Sequence, residues 1–136
     1  MRFDTKIAIA VREDLAAWQK LNVTAFLAGG LAAGFPDTVG RPYEDGSGNR
    51  YLATFRQPVL VHGGDAEALG RAHARALSRD LLIGIYTEEL FKTGNDDDNR
   101  AAVAAVPTDA LRLVGLAVHG PRNAVDKVMK GLALHP

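Results

Sequence analysis

Apolar positions in this chain fall either into short unbroken runs or into longer stretches with helical spacing. Lys6-Ile7-Ala8-Ile9-Ala10-Val11-Arg12 is a run rich in β-branched residues and bounded by charges, the pattern of a strand buried on both faces, as in a parallel or mixed sheet. Asp14 stands where an N-cap belongs, and Leu15 to about Ala33 reads as a helix stopped by Gly34 and Pro36. That helix is nearly apolar all round, which predicts a place between other elements. Residues 36–50 carry Asp45-Gly46 and Ser47-Gly48-Asn49, flanked by Tyr43 and Tyr51-Leu52, and predict a surface hairpin.

Gln57–His62 is a second strand, with Pro58 at its first position or on a free edge. Gly63-Gly64 is expected to turn the chain, and Asp65 to cap a helix over 66–78. Its inner stripe is Ala66, Leu69, Ala72, His73, Ala76 and Leu77, and Glu67, Arg71, Arg75 and Arg79 face water. Leu81–Tyr86 is a third strand, followed by a helical turn from Thr87-Glu88-Glu89 to Gly94. A polar run, Asn95–Asn99, leads into a helix over about Arg100–Ala105, and Pro107 closes it. Leu111–His119 holds a fourth strand. Pro121 opens a last helix to about Lys130, Gly131 stops it, and Leu132-Ala133-Leu134 is left as an apolar tail. Strands separated by helices predict a three-layer α/β/α domain with a sheet at least partly parallel, and the absence of repeats or linkers predicts one domain over 1–136.

Composition adds exclusions. The 136 residues are 47% hydrophobic and 24% charged, which is globular. Sixteen basic and sixteen acidic residues cancel, so bulk attraction to nucleic acid or anionic lipid is absent and any such binding needs a local basic patch. Cysteine is missing, which removes disulfides, thiolate metal sites and thiol nucleophiles. The longest low-charge stretch, Leu15–Pro36, carries only Lys20, and its uninterrupted apolar part, Ala25–Phe35, falls short of the roughly 20 residues of a bilayer span. The expectation is a soluble cytoplasmic protein without membrane contact.

Lys20 either snorkels to the surface or points into a cleft. Trp18, Asn22 and Phe26 share one helical stripe, so the Asn22 amide lies between two aromatics and either ties down a loop or faces a pocket. Arg12-Glu13-Asp14 ends the first strand and Tyr86-Thr87-Glu88-Glu89 ends the third, where ligands bind in open α/β sheets. The plainer reading makes Asp14 and Thr87 helix caps and sets the glutamates in a first turn, but leaves Lys20 and Asn22 unexplained. The four histidines show no metal spacing, though His62 and His119 end two strands and could share a crevice. Asp96-Asp97-Asp98 lacks the ladder of a calcium loop and reads as a solvated turn capping the next helix. There is no nucleophile elbow, P-loop or dinucleotide fingerprint, and neither cofactor nor metal is expected.

Val11-Arg12-Glu13-Asp14-Leu15, with Gly120-Pro121, Val125-Asp126-Lys127-Val128 and Gly131-Leu132-Ala133-Leu134, resembles the type II peptidyl-tRNA hydrolase superfamily. The stretch Asp14–Phe26 with Tyr86-Thr87-Glu88-Glu89 is more similar to a bacterial branch catalogued as a domain of unknown function, number two thousand in its series. That likeness spans nearly the whole chain. The resemblance implies a four-stranded mixed sheet with helices on both faces, commonly assembled as a homodimer. Lys20 falls within one position of the lysine of the hydrolases' Gly-Lys pair, with Gln19 in place of glycine. Their Asp-Ala-Gly segment is here Thr87-Glu88-Glu89, and their Ala-Ala-Gln is Val23-Thr24-Ala25.

Three functions follow as expectations. In a hydrolase of an ester or acyl bond, Lys20 stabilises developing negative charge, Thr87 or Asn22 orients a water or oxyanion, and Glu88 is the base. In a non-catalytic module for a small molecule or a protein, Arg12, Asp14, Trp18 and Tyr86 bind the ligand in the same crevice. A nucleic-acid-associated domain, with acylated RNA among its partners, would use Arg71, Arg75, Arg79 and Arg122.

Overall fold

The computed structural model describes residues 2–136. Its strands are β1 (Thr5–Arg12), β2 (Tyr43–Glu44), β3 (Arg50–Tyr51), β4 (Val59–Gly64), β5 (Ile83–Thr87), β6 (Leu113–Pro121) and β7 (Ala133–Leu134). Its helices are α1 (Ala17–Gly34), α2 (Ala66–Ser78), α3 (Asp96–Ala104) and α4 (Arg122–Val128). The main sheet runs β5-β6-β1-β4-β7, and β2-β3 forms the separate hairpin. Only β1 and β4 are parallel, with α1 and the hairpin in the crossover; the other pairs are antiparallel.

The alternation in β1 sets the layers. Ile7, Ile9 and Val11 face α1 and meet Val23, Leu27 and Leu31, whereas Ala8 and Ala10 face α2 and α4 with Leu69, Ala72, Ala76, Val125 and Val128. Small residues on one side let two helices lie close to the sheet, and large ones fill the space under the single helix opposite.

The sheet has five strands, not four. Gly131, at φ 89°, reverses the chain after α4, a backbone conformation that only glycine adopts freely. The tail then pairs Leu134 with His62 and Ala133 with Gly63, covering an otherwise open edge of β4. Gly63 and Gly64 continue β4 instead of turning, because they pair with Val11 and Arg12 of β1, and Gly63 also with Ala133 of β7. The surroundings of α1 also differ from expectation. Among the described residues no helix or strand covers its outer face, and Trp18, Leu21 and Phe26 are 62%, 72% and 58% exposed. Leu77 is likewise exposed and belongs to no inner stripe.

Capping follows chemistry more closely than position. Asp65 accepts from Ala68 N at 2.8 Å, as expected of an N-cap. Asp14 instead binds Arg12, and α1 begins at Ala17, with Ala16 as its N-cap, where Gln19 Oε1 accepts from Ala16 N. The three aspartates form the first turn of α3, whose cap is Asn95. In the hairpin turn, Tyr51 and the Asn49 and Ser47 amides donate to Asp45 and lower its pKa to about 2.

His73 on α2 is buried, and desolvation lowers its pKa below the usual 6.5; His119 shifts in the same direction for the same reason. With the folded value depressed, their contribution to stability is complete above the unfolded pKa and is lost as pH falls through the folded one. Urea midpoints should therefore decline from pH 7 to pH 5, and less steeply in His73→Leu. A parallel decline in both proteins would rule His73 out.

Candidate functional site

β6 is antiparallel to both β1 and β5, so the carboxyl ends of β1 and β5 emerge on the same side. There Arg12 Nη1 donates to Glu88 Oε1 at 2.5 Å and Arg12 Nε to Asp14 Oδ1 at 2.6 Å. Arg112 lies 3.6 Å from the other Glu88 oxygen. Burial opposes the charge on Arg12, but its hydrogen bonds to Glu88 and Asp14 outweigh this and raise its pKa. Arg12, Asp14 and Glu88 border a depression of about 310 Å³ with Glu13 and Asp65. Its carboxylates outnumber its one cation, and Glu88 is held between two guanidinium groups. Thr87 is buried behind it at 1% exposure and lines none of the cavities described here.

A second cavity, of about 390 Å³, lies between α1 and the segment after β5. Trp18 and Phe26 come from α1, Tyr86 from β5 and Phe91 from the 3-10 turn Glu88–Lys92. The rings form a connected series: Trp18–Phe91, Phe91–Tyr86 and Tyr86–Phe26 have centroids 5.9, 5.1 and 5.8 Å apart. Asn22 Nδ2 donates to the Tyr86 hydroxyl at 3.3 Å. Burial raises the Tyr86 pKa, the Asn22 bond opposing it; because the phenol oxygen accepts from Asn22, its own hydrogen is left to donate. Asn95, Asp96 and Asn99 form the far wall.

Lys20 lies elsewhere. It is two residues from Asn22, about 200° around the helix, and positions so spaced do not share a face. Its Nζ donates to His135 Nε2 at 3.1 Å, which requires that nitrogen unprotonated. The pair borders an apolar depression of about 370 Å³ with Val11, Leu21 and Val61, and a smaller one with Glu13. No carboxylate lies within salt-bridge distance of Lys20 among the described residues.

The single crevice expected from the sequence is thus three sites: Arg12, Asp14 and Glu88 in one, Trp18, Asn22 and Tyr86 in another, Lys20 in the third. His62 and His119 share none, because they pair with Ala10 and Ile7, which are three residues apart on β1 and face opposite sides of the sheet. The arginines proposed for nucleic acid are largely engaged: Arg75 donates to the Val128 and Lys130 carbonyls, Arg122 to that of Phe3, and Arg71 faces Glu67. A larger depression of about 730 Å³ beside the hairpin, at Phe3 and Arg56, includes no candidate residue. Among the described residues no group of three His, Cys, Asp or Glu side chains is placed to hold a metal ion.

A family model described as Protein of unknown function (DUF2000) matches residues 5–136. The chain belongs to this family. The DUF2000 chain is also similar to the solved structure of a protein of unknown function from Agrobacterium tumefaciens strain C58. The two are 47% identical with a TM-score of 0.97, over 99% of this chain and 100% of that one. No curated protein matches it. Two contributors to the DUF2000 sites escape sequence reading: Phe91, in a 3-10 turn without periodicity, and His135, which reaches Lys20 only because β7 pairs with β4. The alternation of Leu132 and Leu134 before His135 was the available signal for that strand.

Proposed function

We propose that the chain binds a small organic molecule in the cavity walled by Trp18, Phe26, Tyr86 and Phe91. One observation carries this reading. Of one tryptophan, three tyrosines and five phenylalanines, four rings from three separate elements converge on one cavity, and two of them stay more than half exposed. Exposed aromatic surface beside fixed polar groups is what a ligand site offers. Trp18 is the sole tryptophan, so its emission reports occupancy directly. Titration with a set of small heteroaromatic, carboxylate and alkylammonium compounds should give a saturable emission change with at least one, weakened in Phe91→Ala. A set that leaves the emission unchanged at millimolar concentration overturns the proposal.

Hydrolysis of an ester or acyl bond is the second reading, favoured by Lys20. Its ammonium is paired with an imidazole instead of a carboxylate, beside an apolar depression, and so can face developing negative charge. The resemblance of the β1–α1 and β6–α4 stretches to type II peptidyl-tRNA hydrolases supports it. Turnover of an N-blocked aminoacyl-tRNA, abolished in Lys20→Ala, is the expected result under this reading, and no turnover at high enzyme concentration removes it. We place the protein in the cytoplasm as a single-domain homodimer. The support is a chain without cysteine, no helix among the described residues long and apolar enough to cross a membrane, and an α1 outer face free of charge from Leu21 to Gly34.

A further inference from the structure

The chemistry of the cavity walls narrows the ligand, on the reading that this cavity is the binding site. No lysine or arginine lines it, and its one ionisable wall group besides Tyr86 is the carboxylate of Asp96. Asp97 and Asp98 follow in the same helical turn, Arg100 is drawn to Asp96 and Asp97, and Lys92, between Phe91 and Thr93 in sequence, is exposed and is not part of the wall. A helix N-terminus ordinarily favours anions, but that of α3 already carries three carboxylates, and Asn95 occupies the Asp98 amide. An anionic ligand would meet the Asp96 carboxylate with no cation in the wall to offset it.

The rings are steeply inclined to one another, at 69° for Trp18–Phe91, 52° for Phe91–Tyr86 and 71° for Tyr86–Phe26. A flat ligand can stack on only one wall of such a box, whereas a rounded group can touch several. Ring faces carry negative potential and attract cations. We infer that the ligand presents an alkylated ammonium group, held by the faces of these rings with the Asp96 carboxylate at the rim.

The experiment is a Trp18 emission titration of the full chain with three probes: choline, its neutral isostere 3,3-dimethylbutan-1-ol, and benzoate. Choline should bind at least about tenfold more tightly than the isostere, the range expected of a partly desolvated cation–π contact, and benzoate should not bind. Phe91→Leu keeps an apolar side chain and removes the ring face. It should weaken choline several-fold and leave the isostere nearly unchanged. Asp96→Asn should cost choline only about two- to threefold, because the carboxylate is exposed and shared with Arg100. Equal binding of choline and the isostere, or binding of benzoate or a neutral heteroaromatic in place of choline, overturns the ammonium inference while the cavity remains a ligand site. No saturable change with these probes or with the wider set overturns both.

Discussion

Gly115→Ala should lower stability by about 2–3 kcal/mol and the melting temperature by about 10 °C. Gly115 lies in β6 beneath α1, where a Cβ would stand 2.4 Å from Val23 Cγ1 and 2.9 Å from Leu27 Cδ1. Valine on a helix has essentially one rotamer, so Val23 cannot swing aside and α1 itself must lift. Because α1 carries Trp18, Asn22 and Phe26, the same change should weaken any ligand that quenches Trp18. Combining it with Val23→Ala should recover part of the loss, a coupling visible in a double-mutant cycle by urea denaturation. Gly64→Ala is the control. Its closest contact, at 2.3 Å, is the end of a leucine side chain that can rotate, and its next, Ala68 Cβ, is at 3.2 Å, so its cost should be smaller than where two contacts fall under 3 Å. Were Gly115→Ala within about 0.5 kcal/mol of the parent, α1 would not be seated on this glycine as described.

Tyr86→Ala should be the most damaging change at the aromatic cavity, at about 3–5 kcal/mol. The ring is 5% exposed, touches Phe26 and Phe91, and joins the cavity to the core beneath α1. Truncating it opens the floor and leaves Asn22 without its partner. Tyr86→Phe keeps the floor and removes one hydrogen bond, which should cost about 1 kcal/mol. The pair therefore separates scaffold from recognition. If the ligand takes the phenol proton, Tyr86→Phe loses affinity with little loss of stability, read by emission titration beside thermal melts. Equal melts for both variants would mean that the ring does not support the fold.

Particular residues show where the sequence was legible. The apolar run of β1 buried on both faces, the Asp65 cap and the Trp18–Asn22–Phe26 stripe depend on local pattern and hydrogen bonding, and each appears as expected. The fifth strand was hidden because two residues of edge strand carry almost no pattern of their own and exist by virtue of β4. The exposure of α1 is not legible in the sequence, because an apolar composition states what a helix could bury and not whether a partner is there. The grouping of Lys20 with Asn22 ignored the helical angle between residues two apart. Strand-end position was the better guide for Arg12 and Glu88, since strand direction brings those ends to the same side of the sheet.

The placement of β1 has a kinetic consequence. The central strand of the sheet is the first to be made, yet its antiparallel partner, β6, lies roughly a hundred residues later, pairing Ile9 with Ala117. Such distant pairing gives a high contact order, and with it refolding in milliseconds to seconds rather than microseconds. Until residues 113–121 join, the β1–α1–β4 unit has one flank of its middle strand open, and Ile7, Ile9 and Val11 form a short apolar run beside unpaired backbone. That interval is when the nascent protein is most open to aggregation.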